Sequence, residues 1–105
     1  MTKEELYGLS FQLILHSGNA RSLAMEAIYA AKDKNFDEAN EKLNESEKEL
    51  NEAHHFQTQL IQAEAGGESF DIPIILVHAQ DHLMTAMTLK DLARELVEIR
   101  QEMNN

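Results

Sequence analysis

Apolar residues recur along this chain at intervals of three and four over three long stretches, and two short polar breaks separate them. That spacing places the apolar side chains on one face of a helix, so the pattern predicts three helices and little else. The first opens on a capping box, Thr2 with Glu5 three places on, and carries Leu6, Leu9, Leu13, Leu23 and Ala27 toward Ala31. Gly18, Ala20, Ser22, Ala24 and Ala27 narrow its middle, which permits close helix-on-helix approach, although Gly18 could equally mark a bend or a break. A KDKN turn follows. Asn35 reads as the next N-cap, with Glu38 in the box position. Phe36, Ala39, Leu43, Leu50, Ala53, Leu60 and Ile61 then make a second helix that ends at Gly66-Gly67. GGESF is a loop. Asp71 is expected to cap the third helix, with Pro73 in its first turn, and that helix runs to about Arg100.

The third helix has two apolar sides. Leu76, Ala79, Leu83, Ala86, Ala93 and Val97 form one seam, and Ile74, His78, Asp81, Thr85, Thr88, Leu92 and Ile99 form another, roughly opposite. Three helices of about 30 residues, each about 45 Å long, make a thin bundle with one narrow interior, which covers the first seam and leaves the second bare. Self-association is the economical answer. A seam with His, Asp and Thr where Leu is expected also suits a polar device that sets register and oligomer state. KNFDEANEKLNESEKEL is similar to a tetratricopeptide helix, but no second copy follows.

Composition supports the same picture. Glu, Leu and Ala dominate, with six aromatics, no Trp, one Pro and four Gly, which favours an all-α, single-domain reading of residues 1–105. The absence of cysteine excludes a disulfide framework, a zinc-thiolate site and a thiol nucleophile. No window is apolar enough for a membrane span, and MTKEELYGLSFQL is not built as a secretion signal, so a cytoplasmic location is expected. A formal charge of -10, with the nine Lys/Arg scattered, argues against nucleic acid and anionic membranes as partners.

The candidate chemistry lies in DIPIILVHAQDHLMT. His78, Asp81 and His82 follow i, i+3, i+4 spacing and project to one side of the helix. His78 reads either as a core histidine with both nitrogens satisfied or as a nucleophile, since an imidazole keeps a free lone pair near neutral pH. Gln80 offers an amide donor and Thr85 a hydroxyl. Asp81 is a solvated acid, an orienting partner for an imidazole, or one of several symmetry copies around an axis; the last arrangement calls for an oxygen-seeking divalent cation such as magnesium. His78 and His82 also match the histidine pair of a zincin helix, but Ala79 stands where that motif carries its glutamate base. Glu52 and His55 make a single Glu-x-x-His pair where a di-iron bundle needs two, so they read as a polar stripe beside His54. His16 reads as packing; Arg21 could serve a buried acid or a phosphoryl group, but half of a surface salt bridge is the simpler account.

LVHAQDHLMTAM, together with ARSLAMEA and LNEAHHFQTQLIQAEAG, resembles the lactose/cellobiose type of enzyme IIA of the bacterial sugar phosphotransferase system, over almost the whole chain and without large insertions. SLAMEA and NEAH lean toward the cellobiose/chitobiose branch. The resemblance implies a three-helix protomer assembled into a trimer, with a phosphoryl group carried on Nε2 of His78. It implies that Asp81 joins its two copies on the threefold axis around one divalent cation, usually magnesium. The implied donor is the phosphorylated histidine-containing phosphocarrier protein, and the implied acceptor is a cysteine of the matching enzyme IIB. Gln80 and His82 are expected to support the site by hydrogen bonding to the imidazole or to phosphoryl oxygens. The competing reading is a helical scaffold without chemistry, oligomeric around an axial metal. The sugar, a β-linked disaccharide such as cellobiose, is selected in a membrane component that lies outside this sequence.

Overall fold

The computed structural model describes residues 1–104 and contains three α-helices, α1 (Lys3–Lys32), α2 (Phe36–Ala65) and α3 (Ile74–Met103). They form an up-down-up bundle measuring 55 × 19 × 16 Å. Buried positions alternate at three and four: Leu6, Ser10, Leu13, Ser17, Ala20, Ala24, Ala27 and Ala31 on α1; Ala39, Leu43, Ser46, Leu50, Ala53 and Leu60 on α2. This is the spacing that lets near-parallel helices interlock with a slight left-handed coil. α1 is the spine, against which α2 and α3 both pack far more extensively than they do against each other.

The core changes character along the axis. One end holds Leu6, Leu13, Leu50, Leu60, Leu76 and Leu83, whereas the other is largely alanine, with Leu43 and Val97 as its bulk. Ala20, Ala24 and Ala27 are the small residues that carry the close approach on α1. Gly18 and Ser22 are not among them: Ser22 is exposed, a Cβ at Gly18 meets nothing within 4 Å, and α1 continues through both. Ile61 also departs from expectation. One position beyond the buried slot of Leu60, it turns outward and is exposed.

The helix ends follow local chemistry. The Thr2 hydroxyl accepts the Glu5 amide at 3.1 Å, closing the start of α1. Asn35 occupies the N-cap of α2, but its amide donates to the Glu38 carboxylate at 2.7 Å instead of receiving a backbone N–H. α1 and α2 end in the same paired arrangement. The Asn35 amide reaches the Ala30 carbonyl and Lys34 reaches Ala31, just as Glu68 reaches Ala63 and Gly67 reaches Glu64. That turn demands a left-handed residue, supplied by Gly67 at φ +97° in one case and by Lys34 at φ +62° in the other. Asp71 does not cap α3. Pro73 is extended, with ψ at 154°, and takes the N-cap position, so the helix begins after the proline and Asp71 lies two residues before that cap.

Polar pairs tie α2 to its neighbours. Ser46 donates to the Ala20 carbonyl at 2.8 Å, and His16 Nδ1 lies 2.6 Å from a Glu49 oxygen while its ring stacks on Phe56. His16 is therefore an interhelical partner as well as packing. The Lys90 ammonium sits 2.6 Å from Glu47 and 2.9 Å from Asp91. The Glu47 hydrogen bond, aided by Asp91, raises its pKa above the ordinary lysine value. A raised pKa stabilises the fold below the unfolded lysine value, and this contribution is lost only as pH climbs through the folded value, so the lock is intact at neutral pH. Arg21 is exposed and forms no ion pair among the described residues, contrary to the salt bridge expected of it.

Candidate functional site

α3 buries Leu76, Ala79, Leu83, Ala86, Ala93 and Val97, the whole of the seam assigned to the protomer's own core. Every member of the opposite seam, Ile74, His78, Asp81, Thr85, Thr88, Leu92 and Ile99, is exposed. Ile74 is 84% exposed, an unusual state for a β-branched apolar side chain at the start of a helix. Ile72, Val77 and Met84 extend the bare apolar surface around it.

His78 lies in the second turn of α3, on the edge of this face. Its Nε2 is 3.1 Å from Nε2 of half-buried His82, and the rings are nearly perpendicular, at 87°, with centroids 4.5 Å apart. The i, i+4 spacing brings the rings together without help from another helix. Two facing Nε2 atoms at this distance share one proton, so one imidazole donates and the other accepts. With His82 as donor, the His78 Nε2 lone pair accepts the His82 Nε2–H, and it is freed as the nucleophile when a better acceptor for that proton arrives.

Asp81 is exposed, and its carboxylate has no hydrogen-bond or ion-pair partner among the described residues. The chain thus offers the Asp81 carboxylate free on the uncovered face. The described residues contain no group of three or more His, Asp or Glu able to hold an ion within a single chain.

Two expected contributors point elsewhere. Gln80 is half-buried and turned toward α2, where its Oε1 accepts from Nε2 of Gln57 at 2.8 Å. At i+2 from His78 it occupies the far side of α3 and cannot reach that imidazole within the protomer. The Thr85 hydroxyl donates to the backbone carbonyls of Asp81 and His82, at 2.9 and 3.2 Å, and offers nothing to the histidine. Sequence reasoning missed Gln57 altogether. Its signal was its slot between Ala53 and Leu60, a polar residue where the three-four spacing calls for an apolar one. Glu52, His54 and His55 are exposed on α2, as a solvated stripe requires.

An open groove of about 710 Å³ lies at the end of the bundle, lined by Tyr7, Phe70, Ile72, Pro73 and Ile74 among others. It adjoins the first turn of α3, one turn before His78. The amino group of Met1 pairs with Glu68 in the same region and ties α1 to the α2–α3 connection.

Residues 8–101 match the family described as the PTS system, lactose/cellobiose specific IIA subunit. The lichenan-specific phosphotransferase enzyme IIA component of Bacillus subtilis (strain 168) is 54% identical over 99 residues, covering 94% of this chain and 90% of the relative. The crystal structure of the PTS cellobiose-specific enzyme IIA from Bacillus anthracis superposes with a TM-score of 0.92 at 50% identity, covering 99% of this chain and 94% of that one. The IIA(chitobiose) chain solved in complex with HPr, from the N,N'-diacetylchitobiose branch of the Escherichia coli phosphotransferase system, superposes with a TM-score of 0.83 at 41% identity over 95% of this chain and 97% of that one.

Proposed function

The chain belongs to the lactose/cellobiose-specific IIA family and is a phosphoryl-carrying component of the sugar phosphotransferase system; from this we propose that His78 carries the phosphoryl group on Nε2. The observation behind the assignment is the pairing of that atom with His82 on the open face of α3. We take the donor to be the phosphorylated histidine-containing phosphocarrier protein, a reading supported by the solved complex of the chitobiose relative with HPr. The acceptor is a cysteine of enzyme IIB, and the sugar is a β-linked disaccharide of the cellobiose type, in keeping with the lichenan and cellobiose relatives. The non-catalytic scaffold is set aside, because the family is one of phosphotransferase components.

In the first step the His78 Nε2 lone pair forms an N–P bond as the donor's N–P bond breaks, and the donor imidazole keeps the electron pair. In the second a thiolate forms S–P as the His78 N–P bond breaks. Neither step requires more of the protein than in-line positioning and compensation of charge on the phosphoryl oxygens. His82 supplies both: its Nε2–H holds the His78 ring in place before transfer and turns to a phosphoryl oxygen after it. No helix among the described residues is long and apolar enough to cross a membrane. The carrier's place in this scheme is the cytoplasm, with membrane passage left to its transporter.

The uncovered seam is the contact between copies in a homotrimer. Exposed Ile74, Leu92 and Ile99 supply its apolar area, and Asp81 lies among them with its carboxylate free. Three such carboxylates around an axis fit a hard, oxygen-seeking dication, and magnesium is the assignment we favour. That ion offsets the mutual repulsion of the acids and has no part in the transfer. The deciding experiment for the carrier role is phosphorylation by phosphoenolpyruvate and the general transfer proteins. Wild type gains one acid-labile phosphoryl group per chain, and His78→Gln gains none while its helical content and melting temperature stay close to wild type. Label persisting on His78→Gln would overturn the assignment.

A further inference from the structure

The His78–His82 pair has a second chemical capacity that its nucleophilic role does not use. Two imidazole Nε2 atoms 3.1 Å apart have the bite of two adjacent ligands on one metal ion. Bonds of about 2.0–2.1 Å to zinc place two nitrogens about 2.9 Å apart at a right angle and about 3.3 Å apart at the tetrahedral angle. The observed separation falls between these limits. The ring centroids, 4.5 Å apart, are closer than a head-on approach of the two nitrogens allows, so the rings are inclined to each other as ligands converging on a common point must be. Both side chains can be reached from solvent, His78 being exposed and His82 half-buried, so the Nε2 proton of His82 can pass to water while Nδ1 takes one up, which turns both Nε2 lone pairs toward the ion.

We infer that this pair is a reversible binding site for a borderline first-row dication, Zn²⁺ foremost, and that the bound ion shuts off phosphoryl transfer by occupying the Nε2 lone pair of His78. Imidazole nitrogen suits zinc, nickel and copper far better than magnesium, so the pair favours the first class of metal over the hard dications that carboxylate oxygen accommodates. The described residues offer no third His, Asp or Glu to complete a closed site, which leaves the remaining positions to water and keeps the ion exchangeable. Ala79, standing where a zinc hydrolase has its glutamate, supplies no base for a metal-bound water. Zinc here is an inhibitor and not a hydrolytic cofactor. The block on transfer rests on the assignment of His78 as the phosphoryl acceptor; the binding of metal does not.

The test begins with the unphosphorylated protein and ZnCl₂ alone, followed by isothermal titration in a non-chelating buffer. One Zn²⁺ per chain is expected, unaffected by millimolar Mg²⁺. His78→Gln and His82→Gln should each weaken binding roughly a hundredfold, because each removes one arm of a chelate. The double variant His54→Gln/His55→Gln, which removes the exposed histidines of α2, should bind as wild type does. Retention of zinc by both α3 variants, or its loss in the α2 variant, overturns the site. A measurement free of mutation comes from the imidazole resonances, of which those of His78 and His82 should shift together on adding zinc and return with chelator; movement of other histidines alone overturns the proposal. Stoichiometric zinc should then slow single-turnover transfer from the phosphorylated donor in proportion to site occupancy. Zinc binding that needs both histidines, combined with phosphorylation that survives His78→Gln, would sink the carrier assignment and leave the metal site standing. Phosphorylation confined to His78 at an undiminished rate in zinc-saturated protein would sink the inhibitory role alone.

Discussion

The two faces of α3 have nearly the same sequence spacing and opposite fates. On one, Leu76, Ala79, Leu83, Ala86, Ala93 and Val97 are enclosed by α1 and α2 and contribute only packing. On the other, Ile74, Leu92 and Ile99 remain in solvent beside His78, Asp81 and two threonines. A three-helix bundle has one interior, so a helix with two apolar stripes must leave one of them uncovered by the chain itself. In a helix this long, one stripe is packed within the chain and the other, which carries His78 and Asp81, stays open for whatever the interior does not use.

The comparison is most sharply tested by truncating one leucine from each face. Leu83→Ala should destabilise the fold by about 2–5 kcal/mol, the usual cost of a cavity in a packed core. Leu92→Ala should leave helical content and the fold intact, yet shift sedimentation at micromolar concentration from three chains toward one. A monomeric wild type at that concentration would remove the premise. So would a Leu92→Ala variant as unstable as Leu83→Ala with unchanged association.

Asp81 provides an intermediate effect. If its three copies meet on an axis, chelator should lower the melting temperature of wild type by several degrees and magnesium should restore it, because an ion bound only by the folded assembly stabilises it by mass action. Asp81→Asn should melt at the same temperature with and without chelator. An unchanged wild-type value after thorough demetallation would show that the open face tolerates its acids without an ion.

The smallest effect distinguishes two serines within the covered interior. Ser17 and Ser46 are both fully buried, but Ser46 donates to the Ala20 carbonyl whereas the Ser17 hydroxyl has no partner among the described residues. Ser46→Ala should therefore cost about 1 kcal/mol, and Ser17→Ala should be neutral or stabilising by up to about 1 kcal/mol. Chemical denaturation resolves the two signs. Equal losses at both positions would mean that burial alone, without regard to partnering, sets the cost of a hydroxyl in this core.

The turns show how far local pattern can be read. Gly66-Gly67 announced the end of α2 because glycine alone enters the left-handed region without cost. The equivalent position after α1 is Lys34, which carries the same hydrogen bonds at φ +62° and has no compositional mark of its own. At the start of α3 the reading failed by two residues. Asp71 was a plausible cap by type, but extended Pro73 moved the first helical residue to Ile74.

The sequence by itself determined the three helices, the division of α3 into a buried and a bare stripe, and the meeting of His78 with His82. All of these depend on spacing within one helix, and helical geometry fixes such neighbours before any packing occurs. Only the tertiary structure decided that Gln80 turns away to Gln57, that Glu47 holds Lys90, and that His16 reaches Glu49. Partners on different helices depend on axial register and on the rotation of each helix about its axis. Those are set by how the whole interior interlocks, and no interval along a single helix encodes them.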